Sequence, residues 1–214
     1  MSKRNLANIG FGIVLFFLMP LELRGDFVVY SFTGEVIPGS SSHSMITDGE
    51  TYSASFLVDL ATPNVGGDFG AFEGAVQSGE VTFSGGYVSP IDFSGFRVQV
   101  ANDFLENGLL YDVARVDDGG FGFIFQTNTT DTSVLSSTEL PLAGTAFSSS
   151  PTVLPAGTNL GVFRYEDDFG LIDFFVTDPT SNSSSFSASA VPEPTGFFAI
   201  AAVGIAILFR RQKS

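Results

Sequence analysis

An all-β fold, an antiparallel β-sandwich or jelly-roll-like domain, is predicted by three observations. Aromatic and β-branched residues recur with a period of two in many short runs. Turn formers separate those runs: Gly-Gly, Asn-Gly, Asp-Gly and Pro pairs. No stretch between Asp26 and Ala190 holds a helical period for long. Many short strands between such turns argue for two antiparallel sheets with aromatic residues filling the space between them.

The runs follow in order. Val28, Tyr30 and Phe32 alternate with opposite-face residues up to Gly34. Tyr52, Ala54, Phe56, Val58 and Leu60 alternate after the Asp48-Gly49 turn. A shorter run covers Glu80–Phe83, beyond the turn formers Thr62-Pro63-Asn64 and Gly66-Gly67-Asp68. Phe96, Val98 and Val100 follow the Gly85-Gly86 turn, and Leu110–Val116 follows Asn107-Gly108. Phe121, Phe123 and Phe125 come after Asp117-Asp118-Gly119-Gly120. Gly161–Tyr165, then Ile172, Phe174 and Val176, precede the Asp178-Pro179 turn, and Phe186–Ala190 is last. The Ser-, Thr- and Pro-rich stretch Ser136–Asn159 reads as a loop crossing between strands.

Residues 26–190 are long enough for one domain with a real core. Within them Arg97, Arg115 and Arg164 are the only basic residues. These three face 21 acidic residues, leaving a formal charge of −18. Such a domain repels nucleic acid and anionic membrane surfaces, so nucleic acid is not an expected partner. Cysteine is absent from the chain, which excludes disulfides, a cysteine nucleophile and thiolate metal sites.

Both ends differ from this middle. Lys3 and Arg4 precede the 11-residue apolar run Ile9–Met19, and Pro20 ends it. This is the pattern of a signal peptide, residues 1–25, cut by signal peptidase. Of Leu23-Arg24-Gly25 only the glycine is small, which sets the expected cleavage after Gly25. At the other end Val191-Pro192-Glu193-Pro194-Thr195 leads into an uncharged run, Gly196–Phe209, stopped by Arg210-Arg211-Gln212-Lys213. Pro192 and Pro194 remove two amide donors and hold Glu193 extended, a shape that proteases and transpeptidases bind. Thr195 to Phe209 spans roughly 22 Å as a helix. That is short for a hydrocarbon core of about 30 Å unless Arg210 and Arg211 snorkel. Positive flanks at both ends place both ends inside and the middle outside the cytoplasmic membrane.

At these C-terminal residues, 191–214, the chain resembles the PEP-CTERM sorting signal of Gram-negative and related bacteria. That signal is a Pro-Glu-Pro motif, a transmembrane segment and an arginine cluster. The resemblance implies recognition of Pro192, Glu193 and Pro194 by an exosortase, with Arg210 and Arg211 as the basic stop. It also implies transient anchoring by a C-terminal helix, then a cell-surface or extracellular destination beside exopolysaccharide or biofilm. The first half resembles PEP-CTERM proteins with an uncharacterised β-sandwich domain. The matching residues are Tyr30-Ser31-Phe32-Thr33-Gly34, Gly49–Phe56, Asp59, Thr62-Pro63 and Phe72-Glu73-Gly74-Ala75. The match covers roughly residues 28–115. It implies the fold and supplies no catalytic residues.

Chemistry-bearing patterns are few. His43, the only histidine, lies in Ser40-Ser41-Ser42-His43-Ser44 and is expected on a surface loop. Adjacency to serine makes no triad, because a triad needs partners set by a rigid scaffold. One histidine without cysteine argues against zinc. Nothing singles out a pair of carboxylates for glycoside hydrolysis. No cofactor is expected apart from calcium, whose candidates are Asp117 and Asp118, then Asp167 and Asp168, each pair in a turn. The competing expectation for these turns is a solvated hairpin. Two function classes follow: a non-enzymatic exported surface or matrix protein, and a module binding carbohydrate or another ligand. An ice-binding face would need regular Thr-x-Thr rows, and Asn128-Thr129-Thr130-Asp131-Thr132 is a single irregular instance.

Overall fold

Alternation in the sequence becomes alternation of burial in β1 (Phe27–Glu35) and β2 (Thr51–Asp59). Val28, Tyr30 and Phe32 point inward from β1, and Tyr52, Ala54, Phe56 and Val58 from β2. The computed structural model describes residues 27–191 except 68, 107–108, 121, 149–160 and 177–183. The expected signal peptide with its Gly25 cleavage site, the Pro192-Glu193-Pro194 motif, the C-terminal apolar segment and Arg210-Arg211 lie outside the described residues. Among the described residues no helix is long and apolar enough to cross a membrane.

Nine further strands complete the described fold: β3 (Gly70–Phe72), β4 (Val76–Phe83), β5 (Arg97–Glu106), β6 (Leu109–Asp117), β7 (Phe123–Thr129), β8 (Ala146–Ser148), β9 (Gly161–Asp167), β10 (Gly170–Val176) and β11 (Ser185–Ala190). They form two antiparallel sheets, in the orders β4-β2-β1-β11-β8 and β10-β9-β7-β6-β5-β3. The described protein is all-β, and the arrangement is consistent with a β-sandwich. Each run read from the sequence falls on a strand for most of its length; Leu60 and Phe96 lie one residue outside β2 and β5, and Phe121 lies outside the described residues. The β3 and β8 strands were not expected, and β8 lies inside the stretch read as a crossing loop.

The sheets meet through aromatic rings. Phe125 of β7 packs against Phe32 and Phe56 of the other sheet, with ring centres 6.5 and 5.2 Å apart. Tyr52 stacks on Phe163 at 4.1 Å. Two of these pairs are tilted and one is stacked, and aromatic pairs add about 0.5–1.5 kcal/mol each beyond the area they bury. Gly79, opposite Phe56, leaves room for that ring: a Cβ there would lie 2.5 Å from Phe56 Cδ1. With no cysteine to cross-link it, the fold depends on this packing.

The β1–β2 connection covers the outer edge of the six-stranded sheet. Ser42 N–H donates to Leu171 O at 2.8 Å and Ser44 N–H to Phe169 O at 2.9 Å, while Asp173 N–H donates to Ser40 O at 3.2 Å. The segment thereby satisfies backbone groups that the edge strand β10 would otherwise expose.

Candidate functional site

Two polar clusters stand out, one sealed and one open. The sealed one gathers around Asp167, the last residue of β9. Docking of the β1–β2 connection brings His43 to it across 124 residues of sequence, with Nε2 2.9 Å from Asp167 Oδ1. The same oxygen accepts Phe169 N–H at 2.8 Å. Oδ2 accepts the hydroxyls of Tyr87 at 2.6 Å and Tyr165 at 2.8 Å. Met45 N–H donates to His43 Nδ1 at 3.2 Å, which leaves the proton donated to Asp167 on Nε2. The His43 side chain is 0% exposed and that of Asp167 2%.

This corrects two expectations. His43 is not a surface-loop residue, and Asp167 is not part of a solvated turn. Burial pushes the Asp167 carboxyl up, but hydrogen bonds from Tyr87, Phe169 N–H and Tyr165 outweigh it and hold the group below its ordinary value. Burial, then the bond to Asp167, pushes the Tyr87 phenol up to about 12. Both Asp167 oxygens are occupied and the imidazole has no open face, so the cluster is a clamp rather than a reaction centre. Asp168 stays exposed beside it.

The open cluster lies on the outward face of the six-stranded sheet. Strand register sets its rows. One row runs Arg97, Asp117, Ile124, Arg164, Asp173 across β5, β6, β7, β9 and β10. The next runs Ala71, Gln99, Arg115, Gln126, Val162. All three basic residues of the acidic domain therefore share one face. Asp117 is fully buried between two of them, its Oδ1 accepting Arg97 Nε–H and its Oδ2 Arg115 Nε–H. Gly119 N–H donates to Asp117 as well. The solvated-turn reading fails here too, and a carboxylate so engaged is a poor calcium ligand. Asp118 is exposed and closes its own turn through Gly120 and Gly122 N–H. Among the described residues no group of three or more acidic or histidine side chains is placed to hold a metal ion.

A depression of about 440 Å³ opens on this face, lined by Arg97, Gln99, Arg115, Gln126, Asn128 and the rings of Phe69 and Phe104, among others. A β-bulge supplies one wall. Register slips by one residue between Ala101 and Phe104, with Asp103 at φ 54°. Without the slip Phe104 would point into the core; with it, Phe104 joins the outward face and packs 4.6 Å from Phe69. Buried Asp112 holds the bulge by accepting Asp103 N–H at 3.2 Å and Leu135 N–H at 2.6 Å. Burial, only partly offset by these bonds, raises the Asp112 carboxyl above its ordinary value.

Sequence reasoning missed both clusters, although one signal was available. Asp117 lies two residues after Arg115, and Asp167 two after Tyr165, so strand parity puts each pair on one face. Comparisons with protein-family models, with curated proteins and with solved structures find no match.

Proposed function

We propose that this chain is an exported, non-enzymatic cell-surface or extracellular-matrix protein. In this reading an exosortase sorts it through residues 191–214, and the jelly-roll-like β-sandwich of residues 26–190 is what the tail delivers. The observation that carries the reading is the order Pro192-Glu193-Pro194, uncharged Gly196–Phe209, Arg210-Arg211-Gln212-Lys213. The N-terminal Lys3-Arg4 and Ile9–Met19 pattern supports it from the other end. Two structural facts agree with it. The start of β1 pairs with the end of β11, Val28 opposite Ala190, so the segments leading to both terminal regions leave the domain side by side. The single imidazole is sealed in a clamp, which favours the non-enzymatic reading over hydrolysis.

The test is replacement of Pro192, Glu193 and Pro194 with alanine. Export should persist while processing stops, and the precursor should accumulate in the cytoplasmic membrane. A variant that reaches its destination at normal size and rate would show the sorting reading to be wrong.

A further inference from the structure

We propose that the depression on the outward face of the six-stranded sheet binds an uncharged sugar unit of a glycan chain. Its lining carries the argument. Gln99 and Gln126 supply planar amides, each with donors and an acceptor, and buried Asn128 steadies Gln126 by accepting its Nε2–H at 2.9 Å. Arg97 and Arg115 spend their Nε–H groups on buried Asp117. That fixes both guanidinium planes; Arg97 also turns Nη1 toward Glu73, 3.6 Å away, and the remaining terminal N–H groups border the pocket. Sugar hydroxyls both donate and accept, and fixed planar partners bind them at low entropic cost. Phe104, turned outward by the bulge, offers an apolar wall for a sugar's C–H face. The volume of about 440 Å³ lies within the range of small-molecule sites, roughly 300–1,000 Å³.

Charge decides which sugar. Asp117 between the two arginines and Glu73, 3.6 Å from Arg97, together cancel their charge. The surrounding domain holds 21 acidic residues against three basic ones, so a polyanion is repelled on approach. Among the described residues, no cluster of free carboxylates in the pocket offers a cation a site. A neutral ligand rich in hydroxyls fits what remains.

The experiment is a glycan array probed with the full-length protein in detergent, spanning neutral and uronate-bearing glycans at 50 and 500 mM NaCl. Neutral glycans should be retained, with affinity changing less than about twofold between the two salts. Gln99→Ala and Phe104→Ala should each weaken binding about tenfold or more. Glu80→Gln, on the outward face of the other sheet, should leave it unchanged. Circular dichroism checks that each variant is folded, and if Phe104→Ala is not, Gln99→Ala alone decides. Preference for uronates with salt-sensitive affinity would overturn the ligand class. Absence of glycan binding, or binding indifferent to Gln99→Ala, would overturn the site. Neither result would touch the sorting reading, which rests on the tail.

Discussion

Replacing Asp167 with asparagine removes one negative charge from the point where four donors converge. Asparagine can keep its carbonyl toward His43 Nε2–H and Phe169 N–H, which lie 2.9 and 2.8 Å from the present oxygen. Its amide must then face the two tyrosine hydroxyls. Tyr165 can turn its proton to Ser89 Oγ, 2.8 Å away, and accept from the amide. Tyr87 loses its acceptor in the cluster. Hydrogen bonds to a charged group contribute about 1.5–3 kcal/mol each, and a neutral acceptor roughly half that. One bond lost and two weakened amount to about 2–4 kcal/mol, given that neighbours in one network do not add. For a domain of this size that lowers Tm by roughly 5–15 °C. The assay is thermal unfolding by circular dichroism at pH 7, with exposed Asp168→Asn as a control expected within about 0.5 kcal/mol of wild type. The pH dependence has a definite sign. The Asp167 carboxyl is held below its ordinary value, so its contribution is complete above the unfolded-state pKa. It is lost as pH falls through the folded value. The gap between wild type and Asp167→Asn should therefore be constant near neutrality and begin to close below about pH 4. A variant as stable as wild type, or a gap that widens in acid, would refute the clamp.

Two other outcomes are expected. A Cβ at Gly170 would lie 2.7 Å from both His43 Cα and Ser42 O, at φ 139°, so Gly170→Ala should cost about 1–3 kcal/mol. Faster hydrogen exchange at Ser42 and Ser44 N–H would be its local mark. Monovalent salt should raise Tm gradually by screening the domain's negative charge over about 10 Å at 0.1 M, with calcium only slightly better than magnesium. A large calcium-selective shift abolished by Asp118→Asn or Asp168→Asn would reverse that expectation and show a metal site.

What was legible in the sequence, and what was not, follows from the range of the interactions. The run from Tyr52 to Leu60 repeats its alternation often enough to declare a strand and its inward face without reference to a partner. Gly70–Phe72 and Ala146–Ser148 have three residues each, too few for a period to show. They are strands only because β5 and β11 lie beside them. His43 is the clearest miss. Its serine-rich surroundings are those of an exposed loop, and its burial is decided by Asp167, Tyr87 and Tyr165, none of them a near neighbour. Phe104 was hidden for a different reason. A bulge inverts the faces beyond it, and the cause, Asp112 bonding to Asp103 N–H, is visible only once two strands are paired.

The pairing of Val28 with Ala190 also determines how the domain answers to force. β1 and β11 share six residue pairs, from Val28–Ala190 to Thr33–Ser185. A pull that separates the two ends of the domain loads the Val28–Ala190 rung alone. When that rung opens, the load passes to the next, so the strands part like a zipper. Had the ends emerged at opposite ends of the two strands, all six rungs would have been sheared together. Tension between residues 27 and 191 thus meets the fold along its weakest direction, and β11 is the strand it would peel away first.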